Sequence, residues 1–142
     1  MRLILDTSVI LAGLRSADGA SRLWIDSILR LEHDLLLSDP LVLEYESVLL
    51  RPVNLNACKL SGADVGQLLD AFCAIAVPVE ISFLWRPFLN DPDDEMVLEA
   101  AMAGQADMLL TFNIRDFVAA ERLGIKVSLP GPAWTRWKGR SS

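Results

Sequence analysis

The chain has 142 residues, of which 52% are hydrophobic, and a formal net charge of −6; this size and composition predict a single domain with one buried core. The excess of acid argues against a protein that coats nucleic acid non-specifically, because such proteins neutralise phosphates with Lys and Arg. The two cysteines lack C-x-x-C spacing, and no apolar stretch approaches the thickness of a bilayer. We therefore expect a cytoplasmic protein that binds no membrane.

Predicted strands and helices alternate along the chain. In chain order, the apolar patterns predict strands at 2–5, 34–38, 77–81, 108–112 and 125–129, and helices at 7–14, 18–31, from 39 onward, 62–76, 90–104 and 114–123. Asp39-Pro40 is a strong helix start, with Asp39 as the predicted N-cap. This alternation predicts an α/β fold, a three-layer α/β/α sandwich with a mostly parallel central sheet.

A basic segment follows the predicted domain, which we place at residues 1–130. Residues 131–142 carry three basic side chains and no acid, interleaved with Trp134 and Trp137. Such a tail either contacts RNA or a partner chain, or is a docked or frayed C-terminus, and the sequence leaves these alternatives open.

Four carboxylates lie where a soluble fold does not normally place an acid: Asp6, Glu44, Asp94 and Asp116. Asp6 directly follows the apolar run 3–5, and Asp116 comes shortly after a predicted buried strand. A carboxylate removed from water is costly unless it is protonated, paired or bound to a metal. If the fold gathers these acids they form a divalent-cation site, which indicates metal-dependent phosphodiester chemistry.

Helical periodicity separates these acids from their neighbours. Glu44 borders the apolar stripe of its helix whereas Glu46 points nearly opposite, so Glu44 is expected to face the fold. Asp94 lies on the apolar side of the helix predicted at 90–104, and Glu95 falls to the side. The alternative for this first turn, and for Asp91 in particular, is helix capping.

Several polar residues follow predicted strands. Asp6 and Asn113 each come after a strand, at the edge where open parallel sheets bind ligands. Thr7, Ser8 and Thr111 lie beside them and are candidates to orient water or phosphate. The alternative reading is that Asp6 and Asn113 are N-caps of the following helices. Capping accounts for each residue alone, but not for acids that reach one edge from four elements.

Other chemistries lack the necessary residues. A Ser-His-Asp triad would depend on His33, the single histidine, which lies in a predicted polar turn where we expect it to be solvated. No glycine-rich phosphate-binding motif occurs, and a paired-carboxylate glycosidase needs a sugar cleft that a chain this small rarely builds. Ligands that are all oxygen favour Mg²⁺ or Mn²⁺ over zinc.

Four segments resemble the acidic motifs of PIN domains. They are residues 3–10 (LILDTSVI), 38–49 (SDPLVLEYESVL), 91–101 (beginning DPDD) and 110–117 (LTFNIRDF). The segments occur in the family's order, and the resemblance covers residues 1–130. The chain is similar to the bacterial and archaeal PIN toxins of toxin–antitoxin pairs, akin to VapC-type toxins.

This resemblance implies an acidic pocket that holds Mg²⁺ or Mn²⁺ and an endoribonuclease that cleaves RNA with a metal-activated water. It also implies a homodimer and inhibition by a cognate antitoxin protein. Asp6, Glu44 and Asp94 match the family's three core acids, and Asp116 matches its more variable fourth. Asn113 stands where many relatives have Asp, which implies one charge fewer in the pocket.

Two alternatives share this fold: a non-catalytic RNA- or protein-interaction module, and a DNA-directed structure-specific nuclease. Intact core acids argue against the first, and the lack of basic helices for duplex DNA argues against the second. Apolar surface at Trp24, Trp85 and residues 35–37 and 65–76 independently predicts a homodimer. Three arginines are candidates to bind the RNA backbone: Arg15, Arg86 and Arg115.

Overall fold

The computed structural model describes residues 1–81 and 92–141 of the chain. Its five strands are β1 (Arg2–Leu5), β2 (Asp34–Leu37), β3 (Val77–Pro78), β4 (Met108–Leu110) and β5 (Lys126–Ser128). The helices in these ranges are α1 (Thr7–Arg15), α2 (Ala20–Leu29), α3 (Asp39–Leu49), α4 (Pro52–Cys58), α5 (Gly62–Ile75), α6 (Pro92–Ala103), the 3₁₀ helix η1 (Ile114–Phe117), α7 (Val118–Arg122) and α8 (Pro130–Ser141). Asp91, Trp85 and Arg86, which entered the sequence predictions, lie outside the described residues.

The strands form one parallel sheet in the order β3-β2-β1-β4-β5. β1 lies at its centre, with Leu3 opposite Leu35 of β2 and Met108 of β4. Because all strands run the same way, their carboxyl ends meet at one edge, which we call the carboxyl edge. The predicted α/β fold with a parallel sheet flanked by helices is confirmed.

The hydrophobic core surrounds the central strands. Leu3, Ile4 and Leu5 are fully buried, because β1 has a strand on each side and the sheet is covered by helices. The predicted apolar surface at residues 35–37 is wrong for the same reason. β2 lies between β1 and β3, so Leu35, Leu36 and Leu37 are buried.

Helix α3 begins with a different cap from the one predicted. Ser38, not Asp39, is the N-cap, and its Oγ accepts a hydrogen bond from the Leu41 N–H at 3.2 Å. Asp39 is the first helical residue, where its carboxylate complements the helix dipole. Pro40 follows within the first turn, where a missing N–H costs no helical hydrogen bond.

Two helices were not predicted. Helix α4 buries none of its side chains, so it leaves no apolar periodicity in the sequence. Helix α8 occupies most of the predicted tail and packs against α2. None of the helices within residues 1–81 and 92–141 is long and apolar enough to cross a bilayer.

Helix α8 is joined to the domain through Trp24, which is fully buried rather than part of an exposed apolar patch. The Trp24 Nε1–H donates to the Pro130 carbonyl oxygen at 2.9 Å. The rings of Trp134 and Trp137 pack around Trp24 at centroid distances of 5.0 and 5.9 Å. The apolar half of the predicted tail therefore contacts the domain.

His33 completes this aromatic cluster, contrary to the prediction that it is solvated. Its side chain is only 5% exposed and contacts the rings of Trp24 and Trp137 at 5.1 and 4.6 Å between centroids. The sequence around it is polar, but α8 returns across the chain and covers it.

Candidate active site at the carboxyl edge

Asp6 lies immediately after β1 and is only 6% exposed. Its backbone N–H donates to the Leu110 carbonyl oxygen at 3.0 Å, which extends the pairing of β1 with β4. The side chain therefore emerges at the carboxyl edge, between two central strands. Parallel α/β folds bind their ligands at this position.

Two hydroxyl groups hold the Asp6 carboxylate. Ser8 Oγ and Thr111 Oγ1 each donate to Asp6 Oδ2 at 2.7 Å. The same hydroxyls accept hydrogen bonds from backbone N–H groups, Ser8 from Phe112 at 3.3 Å and Thr111 from Asn113 at 2.9 Å. Because each hydroxyl has a single proton, the accepted bonds leave that proton for the carboxylate. The backbone after β4 thus fixes the orientation of Asp6.

The capping alternative does not account for Asp6 or Asn113. Both occupy N-cap positions, Asp6 before α1 and Asn113 before η1, yet neither makes a side-chain cap hydrogen bond. The hydrogen bonds that Asp6 accepts come from hydroxyls instead. Thr7, which begins α1, is buried beside it.

Helix α3 contacts the end of β1, next to Asp6, through Tyr45. The Tyr45 hydroxyl donates to the Leu5 carbonyl oxygen, one residue before Asp6. Burial raises the pKa of Tyr45 well above its ordinary value, and the nearby charge of Asp6 raises it further. Tyr45 therefore stays protonated and acts as a donor that joins α3 to the end of β1.

The orientation predicted for the acids of α3 agrees with their burial. Glu44 is half-buried, whereas Glu46 is exposed. Glu44 directly precedes the buried Tyr45 in α3, and its approach to Asp6 stays a prediction from the sequence.

Helix α6 presents its acids differently from the prediction. Glu95, expected at the side of the helix, is only 9% exposed, whereas Asp94 is half-buried. Periodicity failed here because α6 contacts α3, β1, β2 and η1, and so is covered on more than one side. Burial raises the pKa of Glu99, and the like charge of Glu95 adds to the effect. Glu95 is thus a buried acid that the sequence did not single out.

Asp116 and Asn113 lie in an open groove beside the Asp6 site. Both are exposed, and the groove, of about 620 Å³, is lined by residues of η1 and the ends of β4 and β5: Phe112, Asn113, Ile114, Arg115, Asp116 and Leu129. The groove begins one residue beyond Thr111, whose hydroxyl holds Asp6.

The elements that carry the predicted acids contact one another, since α6 touches β1, α3 and η1. Among the described residues, however, no three His, Cys, Asp or Glu side chains form a group able to hold a metal ion. The assignment of Asp6, Glu44, Asp94 and Asp116 as metal ligands remains a prediction from the sequence.

The chain is an α/β protein with a parallel sheet and an oriented carboxylate at its carboxyl edge, the position at which such folds generally bind ligands. The chain belongs to the PIN domain family, since a PIN domain model matches residues 2–115. PIN domains are generally nucleases, which are hydrolases acting on nucleic acid, and they generally use divalent metal ions. The match includes Asp6, Glu44, Asp94 and Asn113, and Asp116 lies one residue beyond it. A search of curated proteins found no match.

Proposed function

We propose that the protein is an endoribonuclease that depends on Mg²⁺ or Mn²⁺, with its reactive centre around Asp6. The observation that carries this proposal is the state of the Asp6 carboxylate. It is buried, one oxygen is held by two hydroxyls, and it pairs with no Lys or Arg of residues 1–81 and 92–141. A buried carboxylate without a cationic partner is costly, and binding a metal ion removes that cost.

The donor set fits a hard divalent cation. The predicted ligands Asp6, Glu44, Asp94 and Asp116 offer only carboxylate oxygens, which Mg²⁺ and Mn²⁺ prefer. Both hydrogen bonds that the described residues donate to the Asp6 side chain go to Oδ2, so none of these residues takes the lone pairs of Oδ1, which can bind a ligand. When bound, the metal ion would polarise the scissile phosphate and lower the pKa of a bound water.

The residues of the chain position and hold the reacting groups. Ser8 and Thr111 keep the Asp6 carboxylate in one orientation, so it costs little reorganisation when it takes up its ligand. Thr7 lies beside them, and the Asn113 amide, which makes no cap, is available to the substrate. Arg115 is exposed in the adjoining groove, where its guanidinium can pair with a phosphate.

The proposal extends to the biological role of the nuclease. We assign the protein as the toxin of a toxin–antitoxin pair, inhibited by a cognate antitoxin protein and acting as a homodimer in the cytoplasm. The support is the similarity of its four acidic motifs to those of PIN toxins. Expression of the wild type should arrest growth, whereas expression of Asp6→Asn should not. Sedimentation at micromolar concentration should show a dimer.

A cleavage assay on single-stranded RNA tests the activity. The wild type should cut RNA with Mg²⁺ or Mn²⁺ and stop when EDTA is added. Asp6→Asn keeps an acceptor for Ser8 and Thr111 but removes the charge, and should lower the rate by about 100-fold or more. Asp70→Asn, the same change at an exposed position of α5, is the matched control and should cut normally. A metal-independent wild type, or equal rates for the two variants, would contradict the proposal.

A further inference from the structure

The groove beside Asp6 combines an exposed aromatic ring with polar and charged walls. Phe112 is 48% exposed and Leu129 is 36% exposed, which are high values for large apolar side chains. Between and around them lie the side chains of Asn113, Arg115 and Asp116. The groove is therefore neither a piece of the hydrophobic core nor a wide apolar face.

The position of the Phe112 ring is tied to the reactive carboxylate. The Phe112 N–H donates to Ser8 Oγ, which itself donates to Asp6 Oδ2. On the preceding residue, the Thr111 hydroxyl donates to the same carboxylate oxygen. Residues 111 and 112 are thus hydrogen-bonded to Asp6, directly through Thr111 and indirectly through Ser8, and the half-exposed side chain of Phe112 extends from this segment.

We propose that the groove is a nucleobase subsite, in which one unpaired base of single-stranded RNA stacks on the ring of Phe112 while its backbone passes Asp6. This inference rests on the proposed function for the identity of the substrate. Every base has an aromatic face, so a stacking platform accepts any sequence but requires that the base be unpaired. Double-stranded RNA cannot present such a base without opening.

The walls of the groove suit the rest of a nucleotide. Leu129 offers an apolar edge for the stacked base, and the Asn113 side chain, free of a capping bond, can pair with the polar edge of the base. Arg115 supplies the positive charge that a flanking phosphate needs, in a protein whose net charge is −6. The site thus selects for single strands through Phe112 and for a backbone phosphate through Arg115.

An abasic scan measures the stacking contact directly. A short single-stranded RNA is prepared as a set in which each base in turn is removed, and binding is measured to the inactive Asp6→Asn protein. One abasic position should weaken binding about tenfold, which is the usual scale for the loss of one stacked base. In the double variant Asp6→Asn, Phe112→Ala, affinity for intact RNA should fall about tenfold, and the abasic change at that position should have no further effect.

Two further variants separate stacking from a change in structure. Phe112→Trp should restore both the affinity and the dependence on that base, because it restores an aromatic face. Leu31→Ala, which also removes an exposed apolar side chain (70% exposed) but at the opposite end of the strands, should leave the abasic profile unchanged. 2-Aminopurine at the sensitive position should be quenched by the Asp6→Asn protein and not by its Phe112→Ala form.

The outcomes distinguish this inference from the proposed function. Normal cleavage by Phe112→Ala, with the same KM and abasic profile as the wild type, overturns the base subsite and leaves the nuclease intact. A wild type that shows the abasic profile but cuts no RNA overturns the nuclease and keeps the subsite. Equal affinity for duplex and single strands, or no binding of RNA, overturns the subsite.

Discussion

The hydroxyls of Ser8 and Thr111 both donate to Oδ2 of Asp6 and so fix the orientation of its carboxylate. Thr111 is fully buried, so its hydroxyl has no water to replace the bonds that it makes to Asp6 and to the Asn113 N–H. A buried donor left without a partner costs about 1–3 kcal/mol. These bonds therefore contribute to folding and also to the orientation of the carboxylate.

This arrangement predicts the effect of Thr111→Val, which keeps the shape of the side chain and removes the hydroxyl. Urea denaturation should show a loss of about 1–3 kcal/mol, because the buried Asp6 carboxylate loses a donor and the Asn113 N–H loses its acceptor. The cleavage rate should fall with little change in KM, since Asp6 is no longer held in one orientation. Thr111→Ser restores the hydroxyl and should recover the rate. Full activity in Thr111→Val would show that this bond does not position Asp6.

The two acids of α3 provide a second comparison at the scale of single residues. Glu44 is half-buried beside Tyr45, which senses the charge of Asp6, whereas Glu46 is exposed. Glu44→Gln should lower metal-dependent cleavage by about 100-fold, the scale reported for groups that support a catalytic metal, and Glu46→Gln should barely change it. Both variants remove one negative charge from the same helix. Equal losses would show that the orientation of α3 does not decide the function of its acids.

At the scale of elements, the sequence predicted the sheet strands and most helices because their apolar patterns are local. β1 and β4 are short apolar runs, each followed by a helix, and such runs are typical of strands that a parallel sheet buries on both faces. Helix α4 could not be predicted in this way, since it buries no side chain. Ser38 and Asp39 are both suitable N-cap residues. Ser38 is the cap because its backbone is extended and precedes the first helical turn, which the sequence alone does not indicate.

Long-range packing accounts for the remaining errors. His33 and Trp24 are covered by α8, which is about 100 residues away in the chain, so nothing near them in the sequence indicates burial. Glu95 is covered because α6 is surrounded by α3 and the sheet. In contrast, Asp6 could be placed from the sequence because it follows a predicted strand, and Thr111 because it lies near the end of the strand predicted at 108–112; the carboxyl ends of both strands meet at one edge. Their hydrogen bond depends on the exact pairing of β1 with β4, which the sequence did not supply.

The contact between α8 and the domain predicts a pH-dependent stability. Met1 donates from its α-amino group to His33 Nδ1 at 3.4 Å, so the neutral ring carries its proton on Nε2, which lacks a partner among the described residues. Burial lowers the pKa of His33 below 6.5, and the positive α-amino group lowers it further, with Glu32 and Asp34 opposing. The Lys138 ammonium group, above the rings of Trp134 and Trp137, adds a further positive charge to the cluster.

A lowered pKa means that the unfolded chain binds this proton more readily than the folded protein. The neutral His33 ring therefore makes its full contribution to the stability of the folded protein above pH 6.5, the pKa of the ring in the unfolded chain. This contribution is lost as the pH falls towards the lower pKa of the folded protein. The free energy of unfolding should decrease with falling pH in this window, by at most about 1.4 kcal/mol per pH unit from this group. His33→Phe keeps a ring in the cluster without titrating, so its stability should fall less steeply. Parallel curves for the two proteins would contradict the assignment.

For the whole molecule, the net charge of −6 opposes folding by mutual repulsion, and we expect the predicted ligands Asp6, Glu44, Asp94 and Asp116 to add to this repulsion. A ligand that binds only the folded state stabilises it by RT ln(1 + [L]/Kd), so Mg²⁺ should raise Tm beyond what the same ionic strength of NaCl produces. Asp94→Asn should raise Tm in the absence of metal, because it removes a like charge, and should abolish the added gain from Mg²⁺.

Glu95→Gln tests the buried acid that the sequence missed: it should lower the pKa of Glu99, observed by NMR titration, while the gain from Mg²⁺ is kept. If Glu95→Gln loses the Mg²⁺ effect and Asp94→Asn retains it, α6 presents Glu95 and not Asp94 to the metal.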